Sequence, residues 1–306
     1  MLAAFAAFFA AAAEHPVDSF QIRDPFVLPE NGTYYLYEAQ AWQGGQGVWV
    51  RTSKDLKTWS DRVLALDVLK DLPATRIWAP EVHKYDGEYW MFVTLTFKKG
   101  YYPVASLVKG RDNRLEVRGT WIFRSKKPEG PFEKVSEGPV PPREWMTLDG
   151  TLVVDGGVPY MVFCHEWCQI ADGEMCYAKL SPGFKTLAEK PSTMFKASDA
   201  VPGASVVTDG PFFWKSEKSG ALHMIWSNMV KGHGYCVLTR TSESGRLAGP
   251  WTRDRVLVGK DGGHGMIFKT FDGRLMLSLH RPNGSPRERM TLVELEDDGK
   301  TLKAKE

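Results

Sequence analysis

One pattern recurs five times along this 306-residue chain, and it limits the fold more than any other feature. Each copy runs from a short polar motif into an apolar strand, a glycine-bearing turn and a second, aromatic strand. The copies read RDPFVLPENGTYYLYEA from Arg23, APEVHKYDGEYWMFVT from Ala79, LDGTLVVDGGVPYMVFC from Leu148, TDGPFFWKSEKSGALHMIWS from Thr208 and GHGMIFKTFDGRLMLSL from Gly263. β-Branched and aromatic residues suit a pleated, half-buried surface, and the glycines supply the positive φ that tight hairpin turns need. The polar residues that lead the copies are Asp24, Glu81, Asp149, Asp209 and His264, spaced 57, 68, 60 and 55 apart. A period near 60 holds four short strands with their loops.

Five four-stranded units arranged radially make a five-bladed β-propeller, so the predicted fold class is all-β. Later in the units, polar turns lead to a large apolar residue near Trp59, Phe132, Leu187 and Trp251, as the link to an outer strand requires. Long helical periodicity is absent; only Asp67 to Leu72 reads as a helical turn. Two packed β-sandwiches are the alternative, but they do not explain five evenly spaced polar starts. The units consume residues 14–306, which are therefore read as one domain. The last unit is short, and a strand borrowed from residues 14–22 is expected to close the ring.

Charge and composition narrow the function. Thirty-nine Lys and Arg against 37 Asp and Glu leave a net charge of +2, with no basic footprint of the kind that nucleic acid requires. Residues 2–13, LAAFAAFFAAAA, are too short to span a bilayer but fit the apolar stretch of a signal peptide, although no Lys or Arg precedes them. Residues 1–13 are read as such a signal. That places the mature chain outside the cell or in a periplasm; without cleavage it is cytoplasmic. Of the four cysteines, Cys164 and Cys168 sit in FCHEWC, a weak metal pattern without a second pair. Small buried thiols are the plainer reading for all four.

In a propeller the first strand of each blade faces the axis, so the polar starts converge at one mouth of the channel. Here they are four carboxylates and a histidine. Carboxylates crowded into one small site repel, and at least one is expected to hold its proton above the usual range. That arrangement serves a reaction in which one acid is protonated while another stays ionised. A single Asp before Gly or Pro would normally be a turn cap; recurrence in successive units argues for more.

RDPF, WAPEV, LDGTLVVDGG, TDGPFF and GGHGMIF, in this order and spacing over residues 20–300, resemble glycoside hydrolase family 43, whose members are five-bladed propellers. The resemblance implies an inverting glycosidase with Asp24 as general base, Asp149 as the residue that orients the acid and tunes its pKa, and a general acid opening blade four. The family usually has Glu-Gly-Pro there, whereas this chain has Asp209-Gly210-Pro211. Asp209 keeps the role by position, with Glu166 and then Glu81 as substitutes. His264 fits the family's axial histidine, which often binds a calcium ion directly or through water. A histidine hydrogen-bonded to the carboxylates is the alternative, because calcium prefers oxygen ligands. No other cofactor is expected.

Sugar faces stack on aromatic rings. Trp78, three residues before Glu81, is the leading platform, ahead of Trp42, Trp145 and Trp167; Trp59 and Trp251 read as structural. Glu81, Glu166, His165 and Arg281 are candidate sugar contacts, and Arg23 is either a contact or a partner for neighbouring acids. The implied substrates are oligo- or polysaccharides with terminal α-L-arabinofuranosides, β-D-xylosides or β-D-galactofuranosides, with α-L-arabinofuranoside preferred and exo action on short chains expected. Three alternatives compete. A non-catalytic carbohydrate-binding propeller would let its carboxylates drift, a retaining fructan hydrolase would bring its two carboxyls to about 5–5.5 Å, and a phosphorylase would need a basic cluster for phosphate.

Overall fold

A computed structural model describes residues 14–39, 45–110 and 115–305. They form five four-stranded antiparallel sheets and one two-stranded pair. The sheets are the five blades. Their innermost strands are Phe26–Glu30, Arg76–Tyr85, Thr147–Asp155, Asp209–Lys215 and Gly263–Lys269. Strands then follow outward in chain order to Val63–Asp67, Glu133–Lys134, Ser192–Lys196, Arg255–Val258 and Leu302–Ala304. Three of the inner hairpins turn on two residues, Asn31-Gly32, Asp86-Gly87 and Gly156-Gly157, all with positive φ. That is the turn whose twist matches paired strands, and it is why Asn, Asp and Gly stand there.

The second strands are largely buried: in Glu88–Phe97 every residue after the first is buried. The predicted helical turn is Val68–Asp71, capped by the Asp67 side chain, which accepts from the Lys70 amide. A second short helix, Trp167–Ile170, goes beyond the sequence expectation: the strand carrying Cys164 ends at His165, so Cys168 lies on a helix. All four cysteines are free thiols, three of them buried. Trp59 is buried, and Trp251 packs edge-on against Phe213 at the turn toward its outer strand.

Ring closure differs from the expectation. Residues His15–Pro16 pair with Thr58–Trp59 and not with the last blade, which builds all four of its strands from residues 263–304. The seam between blades five and one is held instead by lateral bonds. The amide of Ile22 donates to the Glu288 carbonyl, the Ser278 hydroxyl to the Pro25 carbonyl, and the Phe271 amide to the Tyr34 hydroxyl. The buried Glu288 carboxylate accepts from Arg23 at 3.2 Å and from Gln21 at 3.1 Å. Residues 1–13 lie outside the described residues, among which no helix is long and apolar enough to cross a membrane.

Candidate active site

Each blade opens on a residue in left-handed backbone: Asp24 (φ 51°), Ala79 (45°), Asp149 (53°), Gly210 (46°) and His264 (52°). In blades two to five this residue begins a β-bulge, where the register with the second strand slips by one. A bulge bends the strand and re-aims a side chain. It also frees a backbone N–H, and around the ring the preceding blade supplies the acceptor. Asp149 N donates to Thr94 Oγ1 (2.9 Å), Gly210 N to Asp149 Oδ2 (3.0 Å), His264 N to Ser227 Oγ (2.8 Å) and Asp24 N to His280 Nδ1 (3.2 Å). Left-handed backbone costs a non-glycine residue roughly 1–2 kcal/mol, and these bonds hold it in place.

The repeat therefore does not align the five polar residues as the sequence suggested. Asp24, Asp149 and His264 occupy the kink itself. Asp209 precedes its kink by one residue, and Glu81 follows its own by two. Three carboxylates surround one nitrogen: His264 Nδ1 lies 3.4 Å from Asp24 Oδ1, 3.8 Å from Asp149 Oδ2 and 3.8 Å from Asp209 Oδ1. The facing oxygens of Asp24 and Asp209 are thus no more than about 7 Å apart, which reaches the lower part of the roughly 6.5–9.5 Å inverting range and includes the retaining one. Arg23, Trp78, Leu148, Asn283 and Ser285 complete a pocket of about 440 Å³ around these four residues, within the size usual for small-molecule sites.

The electrostatics split the carboxylates. Burial alone would raise Asp24, but His264, His280 and Arg23 around it outweigh that effect and hold the group well below the usual carboxylate range. Asp149 goes the other way. Burial first, then the charge and hydrogen bond of Asp209, push it well above that range, against the pull of the Gly210 amide. Asp209 is the more open of the pair, with 23% of its side chain exposed against 3% for Asp149.

The other sequence candidates separate. Trp78 lines the pocket with the Arg118 guanidinium 4.0 Å from its ring centroid. Arg118 is in turn paired with Glu166 and Glu116. Glu166, which burial raises above the usual carboxylate value against the opposing pull of Arg118, does not line the pocket. His165 stacks on Trp145 at 4.1 Å and bonds Gln169 at 2.8 Å, and burial lowers its pKa. Glu81 bonds His83 at 2.9 Å and faces a small channel cavity beside Asp24 and His264. Arg281 turns away, donating to the Gly259 carbonyl at 2.7 Å. Its strand neighbour His280 faces Asp24 because successive side chains point to opposite faces. Trp167 opens the short helix after Glu166, and Trp42 lies outside the described residues. Tyr235, His280 and Asn283 stand outside the repeated openings; the HRPN run around Arg281 is the sequence signal for the last two.

Asp149, Asp209 and His264 present donor atoms within 4.8 Å of one another. As a calcium site this set fits poorly. The three residues offer one nitrogen and two carboxylates, so water would have to fill most of the six to eight positions that calcium takes, and an ion there would have to compete with the proton that the raised Asp149 favours.

The sequence profile of Glycosyl hydrolases family 43 matches residues 13–303. An endo-arabinase from Bacteroides thetaiotaomicron VPI-5482 is 35% identical, with a TM-score of 0.79 over 94% of this chain and 98% of that one. A thermostable family-43 glycoside hydrolase is 24% identical (TM-score 0.75, covering 94% and 93%). An endo-1,4-beta-xylanase from Bacteroides thetaiotaomicron VPI-5482 is 22% identical (TM-score 0.73, covering 97% of each chain), a likeness of fold. A search of curated proteins finds no match. Five blades in the expected order, a mouth lined by the motif residues and a profile spanning nearly the whole chain agree: this protein belongs to glycosyl hydrolase family 43.

Proposed function

We propose that the chain hydrolyses α-L-arabinofuranosidic bonds with inversion at the anomeric carbon. The observation that carries the chemistry is the convergence of Asp24, Asp149 and Asp209 on His264 Nδ1 in one pocket, with Asp24 held low and Asp149 held high by burial and by Asp209 beside it, so that one side of the pocket keeps a proton while the other stays ionised. The substrate reading is supported by the sequence resemblance and by the 35% identity to a protein named an endo-arabinase.

In this mechanism a single proton is held at the Asp149–Asp209 pair, because two ionised carboxylates so close and so buried are costly. Asp209, the member open to the pocket, passes it to the glycosidic oxygen as the bond to the anomeric carbon breaks. A water attacks that carbon from the opposite face and gives its proton to Asp24, which is ionised. Asp149 stays behind Asp209, orienting it and resisting a second negative charge. Trp78 offers a ring face to the sugar, backed by Arg118. Glu166 and Glu81 are already engaged by Arg118 and His83, so neither replaces Asp209 as donor. No step uses calcium.

The test is turnover of nitrophenyl α-L-arabinofuranoside, β-D-xyloside and β-D-galactofuranoside, and of linear α-1,5-arabinan, with wild type, Asp24→Ala and Asp209→Ala. Arabinose or arabino-oligosaccharides from wild type alone support the proposal. Monosaccharide as sole product marks exo action and a ladder of oligosaccharides marks endo action. Turnover of the xyloside only overturns the sugar, and full activity in Asp24→Ala overturns the mechanism. Binding of arabinan without hydrolysis favours the carbohydrate-binding alternative, which the shortened residue at 209 keeps in play.

A further inference from the structure

The proposed proton donor is one methylene shorter than the glutamate that the resemblance leads one to expect, so its carboxyl ends roughly 1.5 Å earlier. The structure shows what meets it. Tyr235 is the second residue of the third strand of blade four (Gly234–Ser242). Its hydroxyl donates to Asp209 Oδ2 at 2.6 Å. Asp209 Oδ1 is the oxygen nearer His264 Nδ1.

The tyrosine is firmly placed. It is 2% exposed, and its ring stacks on His280 at 5.5 Å with the planes 23° apart. Gly263 makes room for it: a Cβ there would stand 2.5 Å from two carbons of the tyrosine ring. His280 itself packs against the Asp24 carboxylate at 3.1 Å. The Tyr235–His280 stack thus forms a rigid wall that touches the proposed acid at one end and the proposed base at the other.

We infer that Tyr235 is a positioning residue that sets the reach of Asp209, holding Oδ2 in place and leaving Oδ1 to carry the proton. Aspartate with this tyrosine is one solution to placing the acid; a glutamate at 209 would drive its carboxyl into the space that the hydroxyl fills. The inference rests on the proposal that Asp209 is the proton donor. Burial, then the charges of Asp209 and Asp24, push the Tyr235 phenol well above its ordinary value, so its O–H remains a donor through the neutral range.

The test compares wild type, Tyr235→Phe, Asp209→Asn, Asp209→Glu and the double variant Asp209→Glu/Tyr235→Phe, on the nitrophenyl glycosides and on α-1,5-linked arabino-oligosaccharides. Tyr235→Phe should lower kcat about 10- to 100-fold, the scale of a hydrogen bond to a charged group, with KM within about twofold. It should also move the alkaline limb of the pH profile upward, because the ionised acid loses a donor. Asp209→Glu should be poor alone and recover when combined with Tyr235→Phe. Wild-type kcat in Tyr235→Phe, or a lower kcat with the limb unmoved, overturns the role of Tyr235 while an inactive Asp209→Asn leaves the acid assignment standing. An active Asp209→Asn overturns both.

Discussion

Asp24 and Asp149 are both buried aspartates on left-handed backbone, yet their surroundings drive them apart. Two imidazoles and a guanidinium face Asp24, whereas Asp149 faces another carboxylate. Replacing Asp24 with Asn should lower kcat by about 10²–10⁴, the usual weight of a general base, with KM little changed in steady-state assays. The same two groups act on stability in separate pH windows. Asp24, depressed in the folded state, contributes stability that is present above its unfolded value near 4 and is lost as pH falls through its lower folded value. Asp149, raised in the folded state, binds a proton more tightly folded than unfolded, so its contribution declines as pH rises from about 4 toward that higher value. Melting curves from pH 4 to 8 should therefore show Asp149→Asn losing less stability than wild type over that range, even as its activity falls. An unchanged slope would mean that Asp149 carries no proton there. His264 also has a test: EDTA should leave kcat unaltered, and a loss restored by added calcium would show an ion at the histidine.

At the scale of the element, the same device opens every blade: a left-handed residue whose freed N–H is bonded, at four of the blades, by a side chain of the preceding one. Two glycines separate the cost of the backbone from the cost of the site. Gly32, in the blade-one hairpin turn at φ 72°, has nothing within 4 Å of where a Cβ would stand. Gly32→Ala should cost only the roughly 1–2 kcal/mol of left-handed strain and leave kcat intact. Gly210, at φ 46°, would set its Cβ 2.9 Å from the His264 ring. Gly210→Ala should destabilise further and lower kcat, since it displaces the imidazole among the three carboxylates. Chemical denaturation and steady-state assays on the two variants read both effects; equal kcat losses would show that the kink does not position the site.

Over the whole molecule, the described residues share no strand across the seam between first and last blades, and its stability rests on lateral packing and on the buried Glu288. Glu288→Ala would take from Arg23 the carboxylate it donates to, leaving it only Asp24 at 3.8 Å, and would remove an acceptor from Gln21. Breaking a buried pair costs up to about 3–5 kcal/mol; because Arg23 is partly exposed, the lower end is expected, seen as a Tm several degrees lower. A Tm equal to wild type would show that packing alone closes the ring. The five-fold hairpin repeat determined the blade number, their order and the residues at the mouth, because turn glycines and aromatic strands are local chemistry written in the chain. Only the tertiary structure decided that Glu81 and Asp209 are out of step with the other openers, that Arg281 turns away while His280 turns in, and that Tyr235 reaches Asp209 from another strand. A one-residue bulge reverses which face a side chain takes, and contacts between strands and blades depend on packing that sequence spacing does not encode.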